Sequence, residues 1–225
     1  LIRPLYYEHP EEKKAYEYKN EYYFGELLVA PITAPREKDG FSRVKVWLPE
    51  GKFTDIFTGD EYKVKEGGEE RILNRTLDYI PVLANAGTIL PLSADNGNSC
   101  QNPQNLLVKV YSGNGEYVLY EDGDGAYFTK FKVCEENGKT VLTIAGEGNE
   151  KAIPKNRRVT VTFCGIRKGE IEFCSHGEKL AVKPDYKEEL TVTFEYDPNG
   201  EYTITATDCE SEIEKLISRA ARVLC

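Results

Sequence analysis

Beyond Gly25 the chain runs as short stretches in which apolar and polar residues alternate with a period of two, the pattern of half-buried β-strands. Strands are predicted over 27–32, 43–48, 80–83, 88–92, 106–111, 116–121, 140–145, 158–164, 170–174, 190–196 and 201–206. Turn formers separate them, among them Lys38-Asp39-Gly40, Gly113-Asn114-Gly115, Asp122-Gly123-Asp124-Gly125 and Asp197-Pro198-Asn199-Gly200. Many short strands at this spacing predict a mainly β fold of antiparallel β-sandwiches.

The pattern breaks in three places. Residues 1–7 read as an opening strand, and residues 10–18 as a short helix with Pro10 at its first position and Glu in its first turn. Residues 93–103 are polar, rich in turn formers and aperiodic, as a linker is, and divide the β region into modules over 26–93 and 104–209. Residues 210–225 are predicted helical. Ser211-x-x-Glu214 has capping-box spacing, and Ile213, Leu216, Ile217, Ala220 and Leu224 form one apolar stripe. That stripe is expected to bury Leu216 and Ile217 on the second module, with the rest of a parent protein or a second copy of the chain (a homo-oligomer) as the alternative cover.

Composition narrows the partners. Among 225 residues, 29 Lys and Arg stand against 38 Asp and Glu, a net charge of −9. A surface that acidic repels phosphate backbones and anionic lipid, which argues against nucleic acid and membrane as partners. No apolar run approaches the roughly 20 residues of a membrane span. The chain has no Met and opens at Leu1 within a predicted strand, so it is read as a piece of a longer protein.

The six cysteines and two histidines show no zinc-ligand spacing, so no metal ligand is nominated. Cys164 and Cys174 flank an expected hairpin turn at Arg167-Lys168-Gly169, which sets Cys164 opposite Glu172 and leaves Cys174 diagonal, too far for an unstrained disulfide. Free thiols and a reducing, cytoplasmic compartment are therefore expected. The sequon Asn74-Arg75-Thr76 is discounted on the same ground.

Other candidate chemistry fails on pattern. Counted from Asp122, a calcium loop would need Gly at its sixth position and a bidentate Glu at its twelfth, where the chain has Tyr127 and Val133; a Gly-rich turn is the better reading. No glycine cluster follows a strand and opens a helix, so none cradles phosphate. No nucleophile elbow is present, and His9 and His176 have no neighbouring nucleophile motif. No catalytic or cofactor-binding residue is nominated. In 43–48 the alternation turns Val44, Val46 and Leu48 inward and Trp47 outward. An outward Trp is either a sugar-stacking platform or an anchor packed on a neighbouring domain, and the second is favoured.

Five segments resemble glycoside hydrolase family 31, the α-glucosidases and α-xylosidases, in order and spacing. They are Arg3-Pro4-Leu5-Tyr6-Tyr7-Glu8-His9-Pro10; Phe24-Gly25-Glu26-Leu27-Leu28-Val29-Ala30-Pro31-Ile32; Val46-Trp47-Leu48-Pro49-Glu50-Gly51 with Asp55-Ile56-Phe57-Thr58-Gly59; Leu77-Asp78-Tyr79-Ile80-Pro81-Val82-Leu83; and Val110-Tyr111-Ser112-Gly113 with Leu119-Tyr120-Glu121-Asp122-Gly123. Residues 126–209 fit by strand pattern only. Asn20-Glu21 stands where the family has an Asp-Gln pair, Phe53 where it has Trp, and Ala84-Asn85 where it has Val-Arg.

The resemblance implies that residues 1–25 are the end of a catalytic (β/α)8 barrel, followed by the family's proximal (26–93) and distal (104–209) C-terminal β domains. It further implies that 1–7 is a parallel barrel strand without its neighbours, whose removal with 8–20 is expected to raise solubility. The parent is then a retaining α-glycoside hydrolase acting on α-glucosides or α-xylosides through two carboxyls about 5 Å apart. Both belong to barrel segments upstream, so none maps here. The chain is expected to buttress that barrel; the alternative is a distal module that binds carbohydrate in its own right, which requires coplanar exposed rings.

Overall fold

The computed structural model describes residues 1–97, 101–185, 189–211, 213, 214 and 217. They form two compact units, Leu1–Ala86 and Gly87–Cys225.

The first unit contains β1 (Ile2–Pro4), α1 (Lys13–Glu17), β2 (Tyr22–Phe24), β3 (Leu27–Val29), β4 (Ser42–Leu48), β5 (Gly51–Asp55), β6 (Glu61–Val64), β7 (Glu69–Arg75) and β8 (Val82–Asn85). Its larger sheet has the order β1-β2-β3-β8-β5-β6, antiparallel throughout, and β4 pairs β7 in a separate two-stranded sheet. Phe24 faces Leu27 across a two-residue turn, where Gly25 at φ +59° supplies the positive φ such hairpins require. Leu28, Leu83, Val46, Leu48 and Phe53 from the two sheets share one core with Leu5 and Ala15. Glu70 of β7 holds α1 and β4 together, accepting from Lys14 (2.6 Å) and Lys45 (2.8 Å).

Three expectations are corrected here. The opening segment is not a parallel strand over 1–7. Ile2–Pro4 pairs antiparallel with Tyr22–Phe24, and Leu5–Tyr7 turns as a 3-10 helix, which lets Leu5 reach the core. The helix begins after Glu12 rather than at Pro10, whose carbonyl instead accepts from the Tyr16 hydroxyl at 3.0 Å. Trp47 is buried, at 2 % exposure. Alternation assumed that one face of β4 meets water, but the segment before β2 covers that face: His9 stands edge-on to the indole at 5.7 Å. On its other flank, a Cβ built on Gly68 (φ +72°) would lie 2.5 Å from Trp47 Nε1, so only glycine fits there.

The second unit comprises β9 (Ile89–Ser93), β10 (Asn105–Tyr111), β11 (Gly115–Gly123), β12 (Gly125–Glu136), β13 (Lys139–Gly148), β14 (Arg158–Cys164), β15 (Gly169–Ser175), β16 (Glu178–Leu180), β17 (Leu190–Glu195) and β18 (Glu201–Asp208). A four-stranded sheet, β17-β14-β10-β9, and a six-stranded sheet, β11-β12-β13-β18-β15-β16, enclose a core that includes Val108, Val161, Leu142, Ile204, Phe131 and Phe173. Most pairs are antiparallel; β10 and β14 run parallel, with Val108 beside Val161. β9, read in sequence as the end of the first module, is the edge strand of this unit's four-stranded sheet.

The hairpin expected between Cys164 and Cys174 does not form, because β14 and β15 lie in opposite sheets. Val161, Phe163 and Phe173 do share one core, but from facing layers, which the inward pattern permits as readily as one layer does. The C-terminal helix lies largely outside the described residues. Of its described positions, Ser211 and Glu214 form the reciprocal cap (Ser211 N–H to Glu214 Oε2, 2.8 Å). Ile217, expected to be buried, is 63 % exposed.

Candidate functional site

The chemistry-bearing side chains of the first unit gather around Trp47. Glu21, in the turn between α1 and β2, reaches under β4 and accepts the Trp47 backbone N–H at 2.9 Å. It is 4 % exposed, and its Oε2 has no hydrogen-bond partner. Burial pushes its carboxyl up to about 8, against the opposing pull of the Trp47 N–H, so the acid is neutral at pH 7. His9 lies 3.1 Å from the Tyr23 hydroxyl, and burial holds its pKa below the usual imidazole range despite the fields of Glu8 and Glu12. A cavity of about 540 Å³ opens beside it, lined by His9, Glu12, Trp47, Glu50 and Glu66 among others.

A neutral carboxylic acid of raised pKa is what a general acid needs, but geometry comes before pKa. Glu21 is sealed from solvent and is not among the cavity's lining residues. It can protonate nothing that enters. Its chemistry is that of a backbone clasp.

Two buried ion pairs follow the same logic. In the first unit Asp55 pairs with Arg75, their side chains 0 % and 5 % exposed, and Asp55 Oδ1 also accepts the N–H groups of Phe57 (2.9 Å) and Thr58 (3.0 Å). In the second, Arg157 donates to both oxygens of Glu121 at 2.6 Å and through Nε to the Pro103 carbonyl at 3.0 Å. A bidentate guanidinium–carboxylate pair at such depth is held by geometry, and each charge is consumed by its partner. Both carboxylates lie in the segments that carry the family resemblance. The chain carries little signal for Glu121: Tyr117, Val118, Leu119 and Tyr120 are apolar on both faces of the strand, so alternation does not mark position 121 as inward.

The turn at Asp122–Gly125 joins β11 to β12 with Gly123 opposite Gly125. Its carbonyls are taken by side-chain amides, Asn102 on Asp122 (2.7 Å) and Asn149 on Asp124. Among the described residues, no three of His, Cys, Asp and Glu gather as a metal site. Cys164 is pushed up to about 12 by burial, which makes its thiol a poor nucleophile. The exposed rings Tyr120 and Phe128 in the second unit lie 5.4 Å apart but tilt by 54°, unlike a coplanar platform.

A second cavity, of about 340 Å³, runs along β7 in the first unit, lined by Asp60, Tyr62, Arg71, Leu73, Asn74 and Arg75 among others. The Nε atoms of Arg71 and Arg75 are buried and have no partner.

Residues 1–90 match the model of the glycosyl hydrolase family 31 C-terminal domain. The chain is 29% identical to an α-xylosidase of Saccharolobus solfataricus over 91% of its own length and 26% of that protein. It is 30% identical to a probable α/β-glucosidase of Arthroderma benhamiae, over 81% of this chain and 23% of the relative. The chain thus spans about a quarter of these curated relatives. In fold it is similar to a dextranase of Flavobacterium johnsoniae, with a TM-score of 0.71 at 20% identity, covering 91% of this chain and 29% of that one. The ordered motifs of residues 1–125, the family-model match and the two β units agree: this chain belongs to glycoside hydrolase family 31 and carries its C-terminal domain.

Proposed function

We propose that the chain is the non-catalytic C-terminal β portion of a retaining α-glycoside hydrolase, and that its work is to support the catalytic barrel of the parent. The match of residues 1–90 to the family's C-terminal domain carries this reading. It is supported by the fate of the buried carboxyl groups: Glu21, Asp55 and Glu121 all hold backbone or guanidinium groups, and none faces a cavity as one of a pair. The parent's substrates are α-glucosides or α-xylosides, the classes named in its relatives. A cytoplasmic setting goes with it, supported by the free thiols of Cys134, Cys164, Cys174 and Cys209.

The test is hydrolysis of nitrophenyl α-glucoside and α-xyloside. The purified chain alone is expected to release no nitrophenol, while a protein joining it to its upstream barrel hydrolyses one of the two. Turnover by the chain alone, surviving controls for contaminating enzyme, overturns the proposal.

A further inference from the structure

The free edge of β11 in the second unit lacks the protection that other edges there carry. Among the described residues β11 pairs only with β12, and it closes the six-stranded sheet at that end. Two bonds fix how its backbone points. The Ala126 carbonyl accepts the Asn149 N–H at 2.9 Å on the β13 side of β12, so Ala126 exchanges no bonds with its partner Asp122. Asp122 accordingly turns its carbonyl outward, where it accepts from the Asn102 amide at 2.7 Å. Backbone direction alternates along a strand, so the N–H and C=O groups of Glu116, Val118 and Tyr120 also face away from β12.

The other edges of this unit are blunted. β9 contains Pro91, and β16 is only three residues long with Lys179 at its centre. β17 is covered by Asp185, which exchanges both backbone bonds with Thr191 at 2.9 and 3.0 Å. In β11 the run Tyr117-Val118-Leu119-Tyr120 contains neither a charge nor a Pro. Tyr117, Val118 and Tyr120 are 40 %, 52 % and 56 % exposed. An apolar edge with outward backbone donors and acceptors is a template for one more strand.

The same edge of a second copy supplies that strand. Turned about a two-fold axis through Val118, two β11 strands run antiparallel. Each Val118 then lies opposite its own copy and Glu116 opposite Tyr120, all of them residues whose backbone groups point outward. On the other face Tyr117 stands opposite Leu119, which gives the exposed ring an apolar neighbour. No like charges meet, and Glu116 keeps Lys132 as its counter-ion at 3.0 Å. Moving the axis to Leu119 sets Glu116 against Asp122, and like charges directly opposite are destabilising. We infer that β11 is a dimerisation edge, pairing antiparallel with β11 of a second copy in a closed two-fold dimer. The inference does not depend on the proposed function, since it uses only the edge of the second unit.

The test is sedimentation equilibrium of the full chain from low micromolar to near-millimolar concentration, with hydrogen exchange measured at both ends of that range. The mass is expected to double and then stop, and the amides of Val118 and Tyr120 to exchange more slowly in the dimer. Val118→Pro removes an N–H that points away from β12, a change that edge strands tolerate. It deletes two bonds across the axis and is expected to weaken association about tenfold. Val118→Lys sets two ammonium groups opposite each other at the axis and is expected to abolish the dimer. Thermal denaturation checks that each variant folds. A monomer at every concentration overturns the inference. So does growth past the dimer, a dimer without slowed exchange at Val118 and Tyr120, or one that the folded variants leave intact.

Discussion

At the scale of single residues, Glu21 is the most consequential side chain and also the least legible. The chain shows an acid where the family resemblance has Gln, and nothing in its spacing tells that the carboxyl goes under β4. Trp47 misleads for the same reason: alternation gives the two faces of a strand but not what lies over them, and His9 and Gly68 are respectively 38 and 21 residues away. The acid at position 21 has a measurable signature. Its folded pKa of about 8 lies above the ordinary 4.5, so the folded chain holds the proton more tightly than the unfolded chain. The contribution is therefore fully present below pH 4.5 and is lost as pH rises to about 8, at roughly 1.4 kcal/mol per pH unit, levelling off beyond. Glu21→Gln keeps an oxygen acceptor for the Trp47 N–H and removes the titration. Urea denaturation from pH 5 to 9 is expected to show a flatter profile for the variant, with a gain of roughly 2 kcal/mol or more at pH 8. Parallel profiles for the two proteins would count against the assignment.

Elements were legible where strands alternate strictly and opaque where pairing depends on distant partners. The segment 158–164 was bounded correctly because Val159, Val161 and Phe163 alternate with polar residues. β12 lies outside the predicted strands although Tyr127, Thr129, Phe131 and Val133 alternate inward, because its first residues belong to a Gly-rich turn. The parallel pairing of β10 with β14 spans three intervening strands, and no local pattern encodes it. At the C-terminus the capping box was read correctly, since Ser211 and Glu214 exchange bonds, but a stripe tells only that a face is apolar. Ile213 and Ile217 stand 70% and 63% exposed. Ile217→Asp in this chain is thus expected to leave the thermal midpoint within about 1 °C, surface changes being worth within about ±0.5 kcal/mol. A drop of several degrees would show that this side chain is covered in solution, and gel filtration of the same variant would tell whether a second copy covers it.

At the scale of the whole molecule the decisive feature is that each unit owns a core. The sequence predicts that deleting residues 1–20 raises solubility, with 1–7 as a barrel strand stripped of its neighbours. The structure makes them part of the first unit: β1 extends its sheet through β2, and Leu5 and Ala15 are 1% and 2% exposed in the core that holds Trp47. Deleting them removes both side chains from the core and His9 from the face of the only Trp, and burying one large apolar side chain is worth about 1.5–3 kcal/mol. A unit this small cannot absorb such losses. The deletion is therefore expected to unfold the first unit, seen as a red shift of Trp47 emission. Hydrogen exchange at Val108, Leu142 and Val161, all fully buried in the second unit, is expected to stay slow, because none of their packing partners is lost. Blue emission after deletion would mean that the opening segment does not cover Trp47. Accelerated exchange at the three second-unit amides would mean that the two cores unfold as one cooperative block.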